Sequence, residues 1–80
     1  MINQPTIRIE PFSLIDNTFV ILKIFDILGR EIATVVNEEM ELGKYKYIFD
    51  LNKYKLSSGV YFYSLEIGNK RFIKKTALIK

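Results

Sequence analysis

The stretch Leu56-Ser57-Ser58-Gly59-Val60-Tyr61-Phe62-Tyr63-Ser64-Leu65-Glu66-Ile67 restricts the fold of this chain more than any other. Val60, Tyr61, Phe62 and Tyr63 are consecutive β-branched or aromatic residues, whose limited χ1 freedom disfavours helix and suits a pleated sheet. A short unbroken apolar run of this kind predicts a strand in the middle of a sheet, buried on both faces. Ahead of it, the hydroxyls of Ser57 and Ser58 can satisfy local backbone groups, and Gly59 supplies the positive φ of a sharp entry turn. Behind it, Gly68-Asn69 between apolar runs is the Gly-first pattern of a type II′ hairpin. The chain is expected to enter this strand abruptly, cross the sheet and fold straight back.

The rest of the chain reads as strands feeding that one. Thr6 to Glu10 alternates Ile7 and Ile9 with polar residues, a short half-buried strand, and the prolines at 5 and 11 place it at an edge. Phe12 to Thr18 reads as a loop with apolar anchors at Phe12, Leu14 and Ile15. Phe19 to Asp26 puts Val20, Leu22 and Ile24 on a core face. Asp26-Ile27-Leu28-Gly29 is a turn, with a side-chain acceptor first and a glycine where positive φ is needed. Arg30 to Asn37 is the return strand, and Glu38 to Gly43 is expected to be a polar connection. Lys44 to Asp50 carries Tyr45, Tyr47 and Phe49 on one side, an aromatic inner face with Ile48 as the exception. Leu51 to Lys55 is a loop, Leu56 a plug for the bottom of the core, and Arg71 to Lys80 the last strand. Six strands joined by short turns, with no helical period, predict a single antiparallel all-β sandwich.

Composition narrows the function classes. With 80 residues the core must be dense, because a chain of this size buries only about 60% of its unfolded surface. The sequence contains neither Cys nor His, which rules out disulfides, thiolate and imidazole metal sites, and nucleophile-histidine arrangements. No cofactor, metal site or catalytic group is expected. The net charge of +3, from 12 basic and 9 acidic residues, is too mild and dispersed to argue for nucleic acid. No apolar run reaches the length of a membrane span, and the opening residues lack the character of a signal peptide.

In this order the motifs resemble a known family. They are Val20 to Thr34 around Asp26-Ile27-Leu28-Gly29-Arg30, then Val36-Asn37-Glu38-Glu39, then Gly43 with Tyr45 and Phe49-Asp50. Leu56 to Tyr63 and Lys74-Lys75 before Leu78-Ile79-Lys80 complete the set. Together they resemble the C-terminal sorting domain of the type IX (Por) secretion system of Bacteroidetes and related bacteria. That resemblance implies an immunoglobulin-like β-sandwich of about six to seven strands, carried at the end of a longer, Sec-exported protein. It also implies partners: the cargo on the N-terminal side, the outer-membrane translocon that reads the domain, and a sortase-like peptidase that removes it before release or surface attachment. By position, Lys74, Lys75, Leu78, Ile79 and Lys80 correspond to the family's sorting signal, and Gly29, Gly43, Ser58, Gly59 and Tyr61 to its turn and core motifs. Two departures stand out. Only Asn3-Gln4-Pro5-Thr6-Ile7 corresponds to the proline-rich opening motif of the family, and Thr76-Ala77 replaces a bulkier apolar pair.

Blander readings of the same residues compete with these. Lysines on an edge strand protect it from pairing with other chains, and an edge that is open can instead pair with a second copy or exchange its last strand. Tyr45, Tyr47, Tyr61 and Tyr63 suggest an alternative function, an adhesive or carbohydrate-binding platform, although tyrosines in a small sandwich more often belong to the core. Asp16, Asp26 and Asp50 lack the spacing of a calcium loop.

Overall fold

The structure is a computed structural model and describes residues 6–50 and 56–78. Its element order is β1 (Thr6–Leu14), β2 (Thr18–Phe25), β3 (Glu31–Met40), β4 (Gly43–Asp50), β5 (Gly59–Ile67) and β6 (Lys70–Leu78). All pairings are antiparallel. A two-stranded sheet, β1-β4, faces a four-stranded sheet in the order β3-β2-β5-β6, giving a small immunoglobulin-like sandwich. Among the described residues no helix is long and apolar enough to cross a membrane.

The core is the layer between the sheets. Ile7 and Ile9 of β1 meet Val20, Leu22 and Ile24 of β2, all with 0% exposure, and each such side chain contributes about 1.5–3 kcal/mol on burial. Tyr61, Tyr63 and Leu65 of β5 complete the layer. β5 does cross the interior of its sheet, between β2 and β6. Its outer face is covered only in part, however: Ser64 is buried there, whereas Val60 is exposed and Phe62 only half-buried.

Strand β1 runs past the expected end, through Pro11 to Leu14. The register jumps from Ile9 opposite Tyr47 to Phe12 opposite Tyr45, so Glu10 and Pro11 together face a single residue. This bulge moves the inward face from odd to even residues and brings Phe12 and Leu14 into the core with Ile7 and Ile9. It also gives Pro11 a place that demands no donor, and the amide of Glu10 donates instead to the Tyr63 hydroxyl at 3.2 Å, tying the two sheets together. Phe12 stacks on Tyr45 and Tyr47 with ring centroids 5.8 and 6.2 Å apart. Ile15, read as an anchor, is 88% exposed in the β1–β2 connection.

The expected polar connection after Asn37 is instead ladder. β3 continues through Glu38 and Glu39 to Met40, which is buried, leaving only Glu41 and Leu42 as the link to β4. Met40 pairs with Thr18 and rewards the extension by burying its side chain, which local polarity does not reveal. Leu56 is partly buried against the core, and residues 51–55, expected to form a loop, lie outside the described residues.

Two tyrosines fix the connections that carry the chain between sheets. The Tyr45 hydroxyl donates to the Glu41 carbonyl and the Tyr61 hydroxyl to the Ser57 carbonyl, both at 2.6 Å and four residues back. The side-chain carbonyl of Asn17 accepts from the Leu42 amide at 2.9 Å, linking two of the crossings. The β2–β3 turn is closed by Asp26, whose carboxylate accepts from the amides of Leu28 and Arg30 at 2.9 Å and from Arg30 Nε at 2.7 Å. Gly29 takes φ +83° in that turn, as its place in the sequence predicts. The Arg30 amide above all, then its guanidinium and the Leu28 amide, hold the Asp26 carboxyl below its ordinary value.

Two outcomes are expected. Tyr61→Phe removes one hydroxyl donor while keeping the ring, and urea denaturation should show a loss of about 1 kcal/mol. Because the folded pKa of Asp26 is depressed, its contribution is complete above the unfolded aspartate value of ~3.9 and is lost as pH falls through the lower folded value. A stability profile of Asp26→Asn should lack that acid limb, and unchanged acid dependence would contradict the assignment.

Candidate functional site

Lys74, Lys75 and Leu78, expected to carry recognition, lie on β6, which forms one margin of the four-stranded sheet and, among the described residues, pairs with β5 alone. The strand is apolar enough to belong in a sheet yet is exposed along almost all its length, with Thr76 half-buried and Leu78 buried. Its hold on the domain is therefore the backbone ladder with β5 and the side chain of Leu78, which is 1% exposed. The hairpin that begins it turns at Gly68, with φ +60° and its amide donating to the Phe19 carbonyl at 3.1 Å.

Register separates the two central lysines. Lys74 lies opposite Tyr63 on the inward side, and Lys75 opposite Phe62 on the outward side. They are not one patch, but they flank one edge. Lys74 Nζ reaches Glu10 Oε2 of β1 at 3.3 Å, an exposed pair that contributes little to stability. Leu78 pairs with Gly59, and Thr76 with Tyr61, so the end of β6 meets the start of β5. Gly59, with φ +153°, and Ser58 before it are thus brought beside Leu78. Gly29 lies in the β2–β3 turn, which shares an open cleft with Ser57–Gly59, whereas Gly43 opens β4 in the other sheet. Ile79 and Lys80 lie outside the described residues.

Read at period two, β6 shows more than its lysine pair. Its inward side carries Lys70, Phe72 and Lys74 and its outward side Arg71, Ile73 and Lys75, a cation, an apolar residue and a cation on each. Phe72 is 46% and Ile73 62% exposed. The family motif marks Lys74 and Lys75 and not the other four, although the block Lys70-Arg71-Phe72-Ile73-Lys74-Lys75 displays the pattern once strand and edge are known. Chemically, such a strand can offer backbone hydrogen bonds and neutralise negative charge.

The alternative tyrosine platform is not formed. Tyr61 and Tyr63 are buried at 6% and 4% exposure, while Tyr45 and Tyr47 stack on Phe12. Burial, with the charge of Glu38 as a second cause, pushes the Tyr47 phenol up.

A family model described as "Secretion system C-terminal sorting domain" matches residues 3–80. No curated protein and no solved structure matches the chain.

Truncating Leu78 tests how β6 is held. Leu78→Ala should lower stability by about 2–5 kcal/mol if the whole domain responds, or speed amide exchange in β6 ahead of β2 if the strand opens locally. Ile48→Ala, at a site 56% exposed, is the control and should shift stability by no more than about 0.5 kcal/mol.

Proposed function

The chain belongs to the secretion system C-terminal sorting domain family, the sorting tails of type IX secretion, and on that premise we propose that it is a non-catalytic address for a folded, Sec-exported cargo joined on its N-terminal side. The family places the parent protein among those exported across the envelope to the medium or the cell surface. In this reading the cargo waits in the periplasm, the outer-membrane translocon contacts the domain through β6, and a sortase-like peptidase then removes the domain as the cargo is released or attached. Lys74, Lys75 and Leu78, with Ile79 and Lys80 beyond, carry the signal. Gly29, Gly43, Ser58, Gly59 and Tyr61 act by keeping the sandwich in shape.

The observation that supports this reading is the exposure of β6. A strand that contributes a single fully buried side chain, Leu78, can display both its faces and its free edge without unfolding the core.

The test is transport. Residues 1–80 are fused behind a Sec-exported fluorescent reporter and expressed in a bacterium with a working type IX system and in its translocon-deficient counterpart. Reporter should reach the surface or medium only in the competent strain, and loss of residues 76–80 should trap it in the periplasm. Reporter held in the periplasm of both strains, or secretion of the truncated fusion at the normal level, would overturn the proposal.

A further inference from the structure

The four sheet margins are unequal. β1 is closed to further pairing by its bulge, by Pro11, and by commitment of the Glu10 amide to Tyr63. β3 is broken by register shifts at two places. β4 and β6 are regular, but the cations Lys44 and Lys46 of β4 share one face, whereas β6 carries cations on both. The two-residue connection at Gly68-Asn69 makes Ile67 and Lys70 a hydrogen-bonded pair. Pairs alternate from there, so Arg71, Ile73, Lys75 and Ala77 turn their amides and carbonyls toward the free edge.

Resting on the reading of β6 as the recognition strand, we infer that this edge accepts an extended acidic segment as a fifth strand of the sheet. The occupant has two acidic residues, two apolar residues and two acidic residues in succession. The block Lys70-Arg71-Phe72-Ile73-Lys74-Lys75 has the same charge pattern in either direction. An antiparallel partner of that pattern sets carboxylates opposite cations on both faces, and its apolar pair opposite Phe72 and Ile73. Among the described residues, Lys74 alone of these four cations has an ion pair shown, to the exposed Glu10, so most of the charge on the strand is available to a partner. The same charges choose between occupants. Pairing of β6 with β6 of a second copy would set lysine and arginine against lysine and arginine, which is unfavourable across an antiparallel pair, whereas an acidic strand converts each repulsion into attraction. Main-chain bonds would supply the affinity and alternate side chains the specificity.

The experiment uses the 80-residue chain and the capped peptide Thr-Glu-Glu-Val-Ile-Glu-Glu-Thr, followed by amide NMR. Saturable binding is expected, with the amides of Arg71, Ile73, Lys75 and Ala77 shifting and gaining exchange protection while those of Phe72 and Lys74, already in the β5 ladder, change less. Reversing Arg71 and Lys75 together to glutamate should raise Kd about tenfold or more. The same peptide N-methylated at its valine and isoleucine should not bind. Equal binding of a composition-matched peptide with its glutamates gathered at one end would show charge attraction without strand pairing and overturn the inference. So would no binding, or shifts in the same amides that depend on protein concentration without peptide, which would make the occupant a second copy. Transport that persists in the charge-reversed variant after peptide binding is lost would sink this inference and leave the sorting function standing. Peptide binding by a chain that fails in transport would do the opposite.

Discussion

A two-stranded sheet cannot cover a four-stranded one, and most features of this domain follow from that mismatch. The apolar layer forms where the narrow sheet lies over the wide one, with Ile7 and Ile9 against Val20, Leu22 and Ile24. There burial is complete and the register is fixed, since a slip by one residue would turn the whole set outward. At the β6 margin the covering sheet runs out. Phe72 occupies an inward register opposite Leu65 and still remains about half exposed, for want of a strand above it.

Closing so small a sandwich requires the chain to change sheets after β1, β3 and β4, and each change leaves backbone groups to be satisfied. Side chains do this where the chain leaves β3 and where it enters β5. Asn17 serves the Leu42 amide, Tyr45 and Tyr61 reach back to carbonyls four residues upstream, and Tyr63 takes the amide that the β1 bulge leaves over. The aromatic richness of β4 and β5 is thereby explained twice, since the rings fill the core while the hydroxyls fasten its corners. That division of labour is incompatible with a sugar platform at Tyr61 and Tyr63.

The strands were legible wherever a period of two met a strong turn signal. Asp26 to Gly29 and Gly68-Asn69 mark their hairpins correctly, and the face Val20, Leu22, Ile24 is the core face. Failures cluster where the period slips. In β1 the apolar set passes from Ile7 and Ile9 to Phe12 and Leu14, an odd-to-even change that signals an added residue, and reading Pro11 as a terminator hid it. In β3 the polarity of Glu38 and Glu39 resembled a loop, although both are exposed positions of an edge strand that turns Val36 and Met40 to the core. The exposure of β6 could not be read from its residues at all. Phe72 and Ile73 look like core; the narrowness of the opposite sheet leaves the first half exposed, and an outward register leaves out the second. The motif order was the more informative signal for function, because it survives such local errors.

The placement of Leu78 has a mechanical meaning. β5 and β6 form a hairpin closed at Gly68 and open at the Gly59–Leu78 end, and the one well-buried side chain of β6 sits at that mouth. Tension applied to the chain beyond Leu78 and directed away from the sheet would load this residue before any other contact of the strand. Once it is withdrawn, the ladder behind it can be peeled one pair at a time, as in a zipper, instead of being sheared along its full length. The two-sheet core beneath would keep its shape while its outermost strand was drawn off. In a sandwich of unequal sheets, the address can thus be handled as a ribbon with a clasp, and the body that carries it remains folded.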